Sequence, residues 1–238
     1  MPNKPFQFKQ FSIQQNRTAM KVGTDGVLLG CWANIDYNPI SMLDIGAGTG
    51  LIALIMAQRS SADLIDSIEL NDEAFEQTVE NFEQSDWGDR LFCYHSSLQE
   101  FVEEIEDKYD LIISNPPFYT STYKELSEER AMARHTDSLS YSDLLEGTSK
   151  LLSENGTAAF IIPFSEEDNF LGIAKENKLV PFRITRVRGT VNAPIKRSLL
   201  QFSFIENPVE KNELIIEKER HIYTSAYKKL VQDFYLKM

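Results

Sequence analysis

The sequence predicts an α/β fold in which helices cover both faces of a doubly wound, mostly parallel sheet. Five short apolar runs recur with helical patterns between them, an alternation that is typical of a parallel sheet. Two alternating segments then follow without an intervening helix and predict a reversed hairpin at one edge of the sheet. These seven predicted strands form one domain over residues 1–238, with a lead-in segment (1–40), a core sheet (41–205) and a C-terminal extension that ends in a helix (206–238).

The predicted elements follow the apolar runs in chain order. Residues 51–58 are apolar on nearly all sides and predict a buried helix after the first strand. In the helix after the second strand, Asn71 is a suitable N-cap, and Phe75, Val79 and Phe82 fall on one face. The predicted strands are residues 42–45, 64–70, 91–94, 111–114 and 157–162, followed by the hairpin strands 182–188 and 198–205.

Bulk composition is that of an ordinary globular protein with a formal net charge of −12. No run approaches the ~20 apolar residues of a membrane span, and residues 1–10 lack the apolar stretch of a signal peptide. We therefore expect a cytoplasmic protein that does not bind a membrane. Cys31 and Cys93 lie far apart and the chain has only three histidines, so neither a disulfide nor a metal site is expected.

Positive charge is concentrated in one stretch of this acidic chain. Residues 178–204 contain six Lys and Arg and no Asp or Glu, whereas residues 206–219 are rich in acidic side chains. A local basic face can hold an anionic ligand even when the whole molecule is negative. The asymmetry therefore predicts an anion-binding surface on the hairpin.

A glycine-rich loop follows the first predicted strand. Residues 44–50 read D-I-G-A-G-T-G, so that Gly46, Gly48 and Gly50 alternate strictly. Such glycines let the backbone approach a ligand, while the next helix supplies free N–H groups. A nicotinamide or flavin site normally has G-x-G-x-x-G spacing, which counts against an oxidoreductase. A tight turn that binds no ligand is the alternative.

Two carboxylates accompany this loop. Asp44, at the end of the first strand, would repel a pyrophosphate but attract a cation, and Glu69 ends the second strand, where it is placed to bind a ribose diol. The absence of a phosphate-binding lysine favours a nucleoside that carries positive charge. S-adenosylmethionine has a ribose, a sulfonium and an amino-acid tail, so we predict it as the cofactor and S-adenosylhomocysteine as the product.

The fourth predicted strand ends in S-N-P-P-F, residues 114–118. Pro116 and Pro117 cannot donate to a sheet ladder and give the chain a stiff exit. In a doubly wound sheet Asn115 emerges beside the glycine loop. Its side-chain oxygen and the Pro116 carbonyl could each accept an N–H of an exocyclic amine, while Phe118 offers a face for stacking. Asn115, Pro116, Pro117 and Phe118 are thus the predicted catalytic residues, and a turn with a core phenylalanine is the alternative.

Further motifs extend over the whole chain. They are F-K-Q-F at 8–11, M-K-V-G-T-D-G-V-L-L-G at 20–30, A-M-A-R-H at 131–135, K-R-S-L-L at 196–200 and a tail with Y-T-S-A-Y and F-Y-L-K-M. With the glycine loop and S-N-P-P-F, the sequence resembles the bacterial tRNA(Val) (adenine-N6)-methyltransferase family. The resemblance implies the Rossmann-like class I methyltransferase fold and methyl transfer from S-adenosylmethionine to the adenosine 3′-adjacent to the anticodon.

The resemblance also assigns residues to the cofactor. Lys21 and Thr24 belong to a segment that in similar enzymes lies over the cofactor cleft, although a helix cap at Thr24 or Asp25 explains that sequence equally well. Similar enzymes often end the third strand with an acidic residue that contacts the adenine, whereas here Ser97 takes that place. The predicted cofactor-binding residues are Lys21, Thr24, Asp44, Gly46, Ala47, Gly48, Gly50, Glu69, Leu70, Ser97, Leu98 and Asn115.

Cations on the hairpin and just after the Asn-Pro-Pro loop are predicted to contact RNA. Edge strands also carry Lys and Arg simply to prevent aggregation, which is the alternative. Because the rest of the chain is acidic, we expect recognition of one folded tRNA anticodon arm, and no obligate protein partner. The predicted RNA-binding residues are Arg130, Arg134, Arg186, Arg188, Lys196 and Arg197.

The Asn-Pro-Pro-Phe motif does not identify the acceptor molecule by itself. A protein glutamine amide and an adenine in DNA each present a planar nitrogen with two hydrogens, so enzymes acting on these remain alternatives. A non-catalytic RNA-binding module is a further alternative. The intact residues 115–118 argue against it, since a binding protein has no use for this constellation beside a cofactor loop.

Overall fold

The computed structural model of the chain describes residues 4–117 and 139–238. Its strands are β1 (Phe6–Gln7), β2 (Ser12–Ile13), β3 (Ser41–Ile45), β4 (Leu64–Glu69), β5 (Leu91–His95), β6 (Tyr109–Ser114), β7 (Leu152–Pro163), β8 (Val180–Arg188), β9 (Ile195–Ser203), β10 (Glu210–Ile215), β11 (Glu217–Glu219) and β12 (Ile222–Tyr223). Its helices are α1 (Thr24–Trp32), α2 (Leu51–Arg59), α3 (Asp72–Glu83), α4 (Leu98–Glu104), α5 (Tyr141–Leu151), α6 (Glu167–Glu176) and α7 (Ser225–Val231), with a 3₁₀ turn at Phe164–Glu166.

The central sheet has the order β10-β8-β9-β7-β6-β3-β4-β5. Strands β3, β4, β5, β6 and β7 are parallel to their neighbours in this group. Strand β9 runs antiparallel to both β7 and β8, so the predicted reversed hairpin is confirmed. The α/β fold with a mostly parallel, doubly wound sheet is therefore confirmed.

The predicted strand number of seven is wrong, because the central sheet has eight strands. The additional strand is β10, which pairs in parallel with β8 outside the hairpin. Its sequence, E-K-N-E-L-I, buries only Leu214. A charged edge strand of this kind lacks the apolar pattern by which buried strands are recognised, and its charges discourage further pairing.

Two hydrophobic cores cover the two faces of the sheet. Leu111 and Ile113 of β6 pack with α1, α2 and α7 in one core, whereas Ile112 belongs to the other core with α4, α5 and α6. Successive side chains of a strand point to opposite faces, so a strand that is covered on both sides must be apolar throughout. This double cover explains the continuous apolar runs of the sequence.

The helix starts next to the glycine loop are fixed by local contacts. The Asn71 side chain accepts a hydrogen bond from the N–H of Ala74 at 3.0 Å and caps α3, as predicted. Helix α2 begins after Gly50, whose φ is +74°.

None of the helices described in residues 4–117 and 139–238 has the length and apolar character that a membrane crossing requires.

Candidate active site

A cavity of about 590 Å³ opens at the carboxyl edge of the parallel strands. Ends of β3, β4 and β6 contribute Gly46, Glu69 and Asn115 to its wall, and Ser97 lies at the start of α4 on another side. In an open α/β sheet this edge is where ligands bind. The predicted lining residues that meet here are Gly46, Gly48, Glu69, Leu70, Ser97, Leu98, Asn115, Pro116 and Pro117.

All three loop glycines have left-handed backbone conformations. Their φ angles are +79° at Gly46, +59° at Gly48 and +74° at Gly50. A side chain at any of these positions would be strained, which explains the strict alternation. A Cβ atom at Gly46 or Gly48 would meet nothing within 4 Å, whereas one at Gly50 would lie 2.6 Å from Cε1 of Phe82. The first two glycines therefore border open space, and the third allows α2 to pack against α3.

Glu69 holds the glycine loop with both carboxylate oxygens. Oε2 accepts a hydrogen bond from the N–H of Gly48 at 2.8 Å, and Oε1 accepts one from the N–H of Asn71 at 2.9 Å. Each carboxylate oxygen has a second lone pair that can accept another hydrogen bond. Glu69 is thus fixed in place while it keeps acceptor capacity for a diol.

Asp44 lies beneath the loop and is only 1% exposed. Neither carboxylate oxygen has a hydrogen-bond partner among the described residues, although the N–H of Ala53 near the start of α2 lies close enough to favour the ionised form without a full hydrogen bond. Burial, with a smaller contribution from the charge of Glu69, raises the pKa of Asp44 to about 7. A buried carboxylate without partners is a costly feature that a bound cation would relieve.

Asn115 follows β6 directly, and its Oδ1 atom is buried without a hydrogen-bond partner among the described residues. The hydroxyl of Ser114 donates to the carbonyl oxygen of Ile45 at 2.7 Å, which ties the end of β6 to the end of β3. The peptide bonds before Pro116 and Pro117 are trans. Leaving an acceptor unpaired costs about 1–3 kcal/mol, so the position of Oδ1 is explained best by a ligand that donates to it.

Sequence comparisons match the chain to known methyltransferases. Residues 25–158 match the Methyltransferase small domain family. A protein of Christiangramia forsetii named tRNA1(Val) (adenine(37)-N6)-methyltransferase is 60% identical over 240 residues, which cover 100% of both chains. A relative of the same name from Bacteroides fragilis is 44% identical over 234 residues, 98% of each chain. The chain belongs to this methyltransferase family.

Solved structures agree on the fold. A protein of Agrobacterium tumefaciens, named as a predicted O-methyltransferase, superposes with a TM-score of 0.69 at 17% identity and covers 88% of this chain and 96% of its own. A methyltransferase of Pyrococcus furiosus superposes with a TM-score of 0.52 at 22% identity over 71% of this chain and 76% of its own. At these identities the likeness supports the class I methyltransferase fold alone.

Five predicted cofactor-binding residues do not line the cavity. Asp44 and Ala47 are buried below its wall, and Gly50 forms the start of α2. Lys21 is exposed, and Thr24 opens α1 and borders a second cavity instead. Neither Thr24 nor Asp25 caps α1, because the N-cap is Gly23 and makes no side-chain hydrogen bond. The predicted residues Phe118, Arg130 and Arg134 lie outside the described residues.

Ser97 lines the cavity but is engaged in a capping box that opens α4. Its N–H and hydroxyl both donate to Oε2 of Glu100, at 3.0 and 2.7 Å, and its Oγ accepts from the N–H of Glu100 at 3.2 Å. The two hydrogen bonds that Oε2 of Glu100 accepts hold this carboxylate on the same wall and lower the pKa of Glu100. The Glu100 carboxylate therefore lies on the cavity wall next to Ser97, at the start of α4.

Two groups of residues near the cavity were missed from the sequence. Thr18, Ala19 and Met20 of the lead-in segment line the cavity, and the Thr18 hydroxyl is buried without a partner among the described residues. They have no local motif, since their position depends on the path of an irregular segment. Polar side chains of α3 form the second group, which a pattern of apolar residues does not reveal; they are Gln77, Thr78 and Asn81.

These α3 side chains hold both the glycine loop and the lead-in segment. Thr78 donates to the carbonyl oxygen of Gly48 at 3.0 Å, and Asn81 donates to that of Thr49 at 2.9 Å. Asn81 also exchanges two hydrogen bonds with the backbone of Gln14, at 2.8 and 3.0 Å. Gln77 accepts from two N–H groups of the lead-in segment, at 3.1 and 3.2 Å. Helix α3 is therefore a shared support for the floor and the cover of the cavity.

Three of the four hairpin cations predicted to bind RNA form ion pairs. Arg186 contacts buried Glu167 at 2.6 Å, and Arg188 contacts Glu213 at the same distance. Arg197 contacts Asp25 at 2.8 Å. Lys196 is exposed and lies within 4 Å of no carboxylate in the described part of the chain. Much of the positive charge of the hairpin is therefore balanced within the protein.

Proposed function

We propose that this protein transfers a methyl group from S-adenosylmethionine to the exocyclic N6 of the adenosine 3′-adjacent to the anticodon of tRNA(Val), with S-adenosylhomocysteine as the product. The observation that carries the proposal is Oδ1 of Asn115, which is buried beside the glycine loop and has no hydrogen-bond partner among the described residues. The names of full-length relatives at 60% and 44% identity support the choice of acceptor. A reaction on tRNA belongs to the cytoplasm.

The residues around the cavity suit the cofactor. Open space above Gly46 and Gly48 lets the cofactor approach the backbone of the loop. Glu69 offers acceptors for a ribose diol, and the carboxylate of Asp44 favours a positive charge nearby. Leu70 and Leu98 supply apolar wall for a base. When bound, S-adenosylmethionine supplies an electrophilic methyl group on a sulfonium.

Asn115 would activate the acceptor by position rather than by strong base chemistry. The lone pair of an adenine amine is delocalised into the ring and is a poor nucleophile. When Oδ1 of Asn115 and the carbonyl of Pro116 each accept one N–H, the nitrogen is drawn toward tetrahedral geometry and its lone pair is directed at the methyl group. The two prolines keep these acceptors rigid, and Phe118 is proposed to stack on the extruded base.

RNA contact is proposed for the hairpin and for the cations after the Asn-Pro-Pro loop, namely Arg130, Arg134, Arg186, Arg188, Lys196 and Arg197. Among the four that the structure describes, Lys196 is the best placed for a phosphate, because it is exposed. The side chain of Arg186 is 40% exposed and its guanidinium lies 5.2 Å from the ring centre of Phe164, so its orientation is fixed by Glu167 and by the ring. Such a fixed arginine would contribute shape selectivity as well as charge.

The direct test is methylation of tRNA(Val) transcript by the purified protein with labelled S-adenosylmethionine, followed by nucleoside mass spectrometry. We expect N6-methyladenosine in the wild-type transcript and none in a transcript with guanosine 3′-adjacent to the anticodon. Parallel reactions with duplex DNA and a glutamine-containing protein substrate test the alternative acceptors. Label in either of these and not in tRNA would overturn the proposal.

A further inference from the structure

A second cavity, of about 690 Å³, lies on the other side of the lead-in segment. Four aromatic rings line it, contributed by Phe6, Tyr223, Tyr227 and Tyr235. Its volume exceeds that of a nucleobase, and its remaining wall includes Lys237. This groove takes no part in the methyl-transfer site described above.

The rings of the groove are held in place by one another. Tyr223 and Tyr227 lie with ring centres 5.3 Å apart, and Phe6 meets Tyr235 edge-on at 6.2 Å. Tyr227 is buried and forms the floor, whereas Tyr223 and Tyr235 are partly exposed. Exposed faces of fixed aromatic rings are suited to stacking a flat ligand without further ordering of side chains.

The chain segment that supplies much of the groove wall is locally basic, although Lys237 is its one cation that lines the groove itself. Residues 218–237 contain five Lys and Arg against two acidic side chains, in a chain of net charge −12. Glu217 also lines the groove, but its Oε1 accepts a hydrogen bond from the N–H of His221 at 3.2 Å. Among the described residues these cations form no ion pair within 4 Å, unlike the hairpin arginines; they are Lys218, Arg220, Lys228, Lys229 and Lys237.

The lead-in segment contributes to the walls of both cavities. Residues 18–20 line the first cavity and residues 22–24 line the second, so that only Lys21 separates the two sets. Because an extended chain spans at most about 3.5 Å per residue, residues 18–24 place these parts of the two walls within about 25 Å of each other, so that one RNA stem-loop could contact both.

We infer that the groove binds an unstacked base of the RNA substrate, from the same loop as the nucleotide that is methylated. The base stacks against Tyr223 or Tyr235, and Lys237 contacts an adjoining phosphate. This inference rests on the proposed function, since it gives the RNA a second contact point. Holding this base would keep the anticodon loop open while the target adenosine occupies the active site.

The test compares Tyr223→Leu with Tyr223→Phe in binding to an anticodon stem-loop transcript of tRNA(Val). Loss of the ring should raise the Kd for RNA about fivefold or more, whereas phenylalanine keeps the stacking face and should leave the Kd within about twofold. Lys237→Glu should weaken binding more strongly at low salt than at high salt. Phe92→Leu, an exposed ring at the opposite edge of the sheet, is the matched control.

The affinity for S-adenosylmethionine should be the same in all four variants, which separates this groove from the cofactor site. Circular dichroism melting establishes that each variant is folded. Equal RNA affinity in wild type and Tyr223→Leu would overturn the inference while wild-type methylation of tRNA upheld the proposed function. Tyr223→Leu could instead change the sedimentation coefficient of the protein while its RNA affinity stays unchanged. The groove would then be a contact with a second copy of the chain, and the inference would again be overturned.

Discussion

Asn115 carries the chemistry of the proposed reaction, and its isolation from the rest of the fold makes it testable. Its Oδ1 has no partner among the described residues, so truncation removes no hydrogen bond between that atom and this part of the chain. A residue of this kind contributes to the transition state much more than to folding. Its neighbours Ser114 and Ile45 keep the strand ends joined whatever occupies position 115.

We expect Asn115→Ala to lower kcat for tRNA methylation by about 100-fold or more, the usual effect of losing one preorganised polar contact at a reacting centre. The Kd for S-adenosylmethionine, measured by calorimetry, should change by less than about threefold, because ribose and sulfonium contacts are made elsewhere. Asn212→Ala, on the exposed edge strand β10, is the control. Retention of full kcat in Asn115→Ala would contradict the proposed role.

Asp44 should couple cofactor binding to a proton. Burial raises its pKa to about 7, so near neutral pH the free protein holds this carboxyl partly protonated. A bound cation favours the ionised form and lowers the pKa, so binding releases a proton and the affinity rises with pH up to about 7. The Kd for S-adenosylmethionine should therefore increase by up to about tenfold for each pH unit below 7.

The measurement is calorimetric titration between pH 5.5 and 8.5 in buffers of different ionisation enthalpy. Asp44→Asn should bind S-adenosylmethionine more weakly than wild type at high pH. Its Kd should also change less with pH than the Kd of wild type. The exposed Asp63→Asn should retain the wild-type profile. Identical profiles for wild type and Asp44→Asn would show that Asp44 is not the linked group.

Within the glycine loop, residues 44–50, one glycine leaves room for the cofactor and another lets two helices pack. Gly48 and Gly50 share a positive φ, but only a Cβ at Gly50 meets the ring of Phe82, at 2.6 Å. Both alanine variants carry backbone strain, and Gly50→Ala should lose a further 1–3 kcal/mol or so of unfolding free energy through overpacking. Gly48→Ala should instead raise the Kd for S-adenosylmethionine. Urea unfolding together with cofactor titration tests both, and equal stability of the two variants would contradict this division.

Helix α3 shows where an apolar pattern is insufficient to predict a buried face. Phe75 and Val79 were expected to lie on the buried face with Phe82, yet only Phe82 among them is fully buried. Gln77 and Asn81 take the buried positions because the backbone of the lead-in segment supplies their hydrogen-bond partners. Polar side chains that are buried by long-range backbone contacts give no signal in a pattern of apolar residues.

Loss of Asn81 should release the lead-in segment. Asn81→Ala removes two hydrogen bonds to Gln14 and leaves the buried carbonyl oxygen of Thr49 unpaired, at a cost of about 2–3 kcal/mol. Limited trypsin digestion should then cut faster at Arg17 and Lys21. Glu76→Ala, which removes only an exposed ion pair with Arg17, should digest like wild type. Equal digestion of Asn81→Ala and wild type would show that the segment is held by other contacts.

Taken over the chain, the sequence predicted which kind of sheet forms and where the site lies. It predicted less well how many strands the sheet has and which residues complete the wall of the cavity. Strands that are buried on both faces are continuous apolar runs, so five were recognisable in this way and the two hairpin strands by their alternation, whereas the charged edge strand β10 was not. The residues at the strand ends could be placed because parallel strands end at one edge. Thr18, Ala19 and Met20 could not, since an irregular segment reaches the cavity by tertiary contacts.

The buried carboxyls also make the stability of the free protein depend on pH in a defined direction. Burial raises the pKa of Asp44 to about 7, and burial likewise raises that of Asp66, whose Oδ2 accepts a hydrogen bond from Tyr109 at 2.6 Å. In the unfolded chain both groups ionise near pH 4. Between about pH 4 and about pH 7 the folded state therefore holds an extra proton on Asp44, so the contribution of Asp44 to the unfolding free energy falls as pH rises through this range, and that of Asp66 changes in the same direction.

Comparison of wild type with Asp44→Asn isolates this effect from the other ionisable groups. An amide does not titrate, so the stability of the variant relative to wild type should grow with pH, by an amount on the order of 4 kcal/mol between pH 4 and pH 8, since each unit of pKa shift corresponds to about 1.4 kcal/mol. Urea unfolding across this range, without cofactor, measures the difference. If the difference in unfolding free energy between the variant and wild type stays constant with pH, Asp44 is ionised in the free protein and the prediction is wrong. With saturating S-adenosylmethionine, which favours the carboxylate, we expect the difference to become constant.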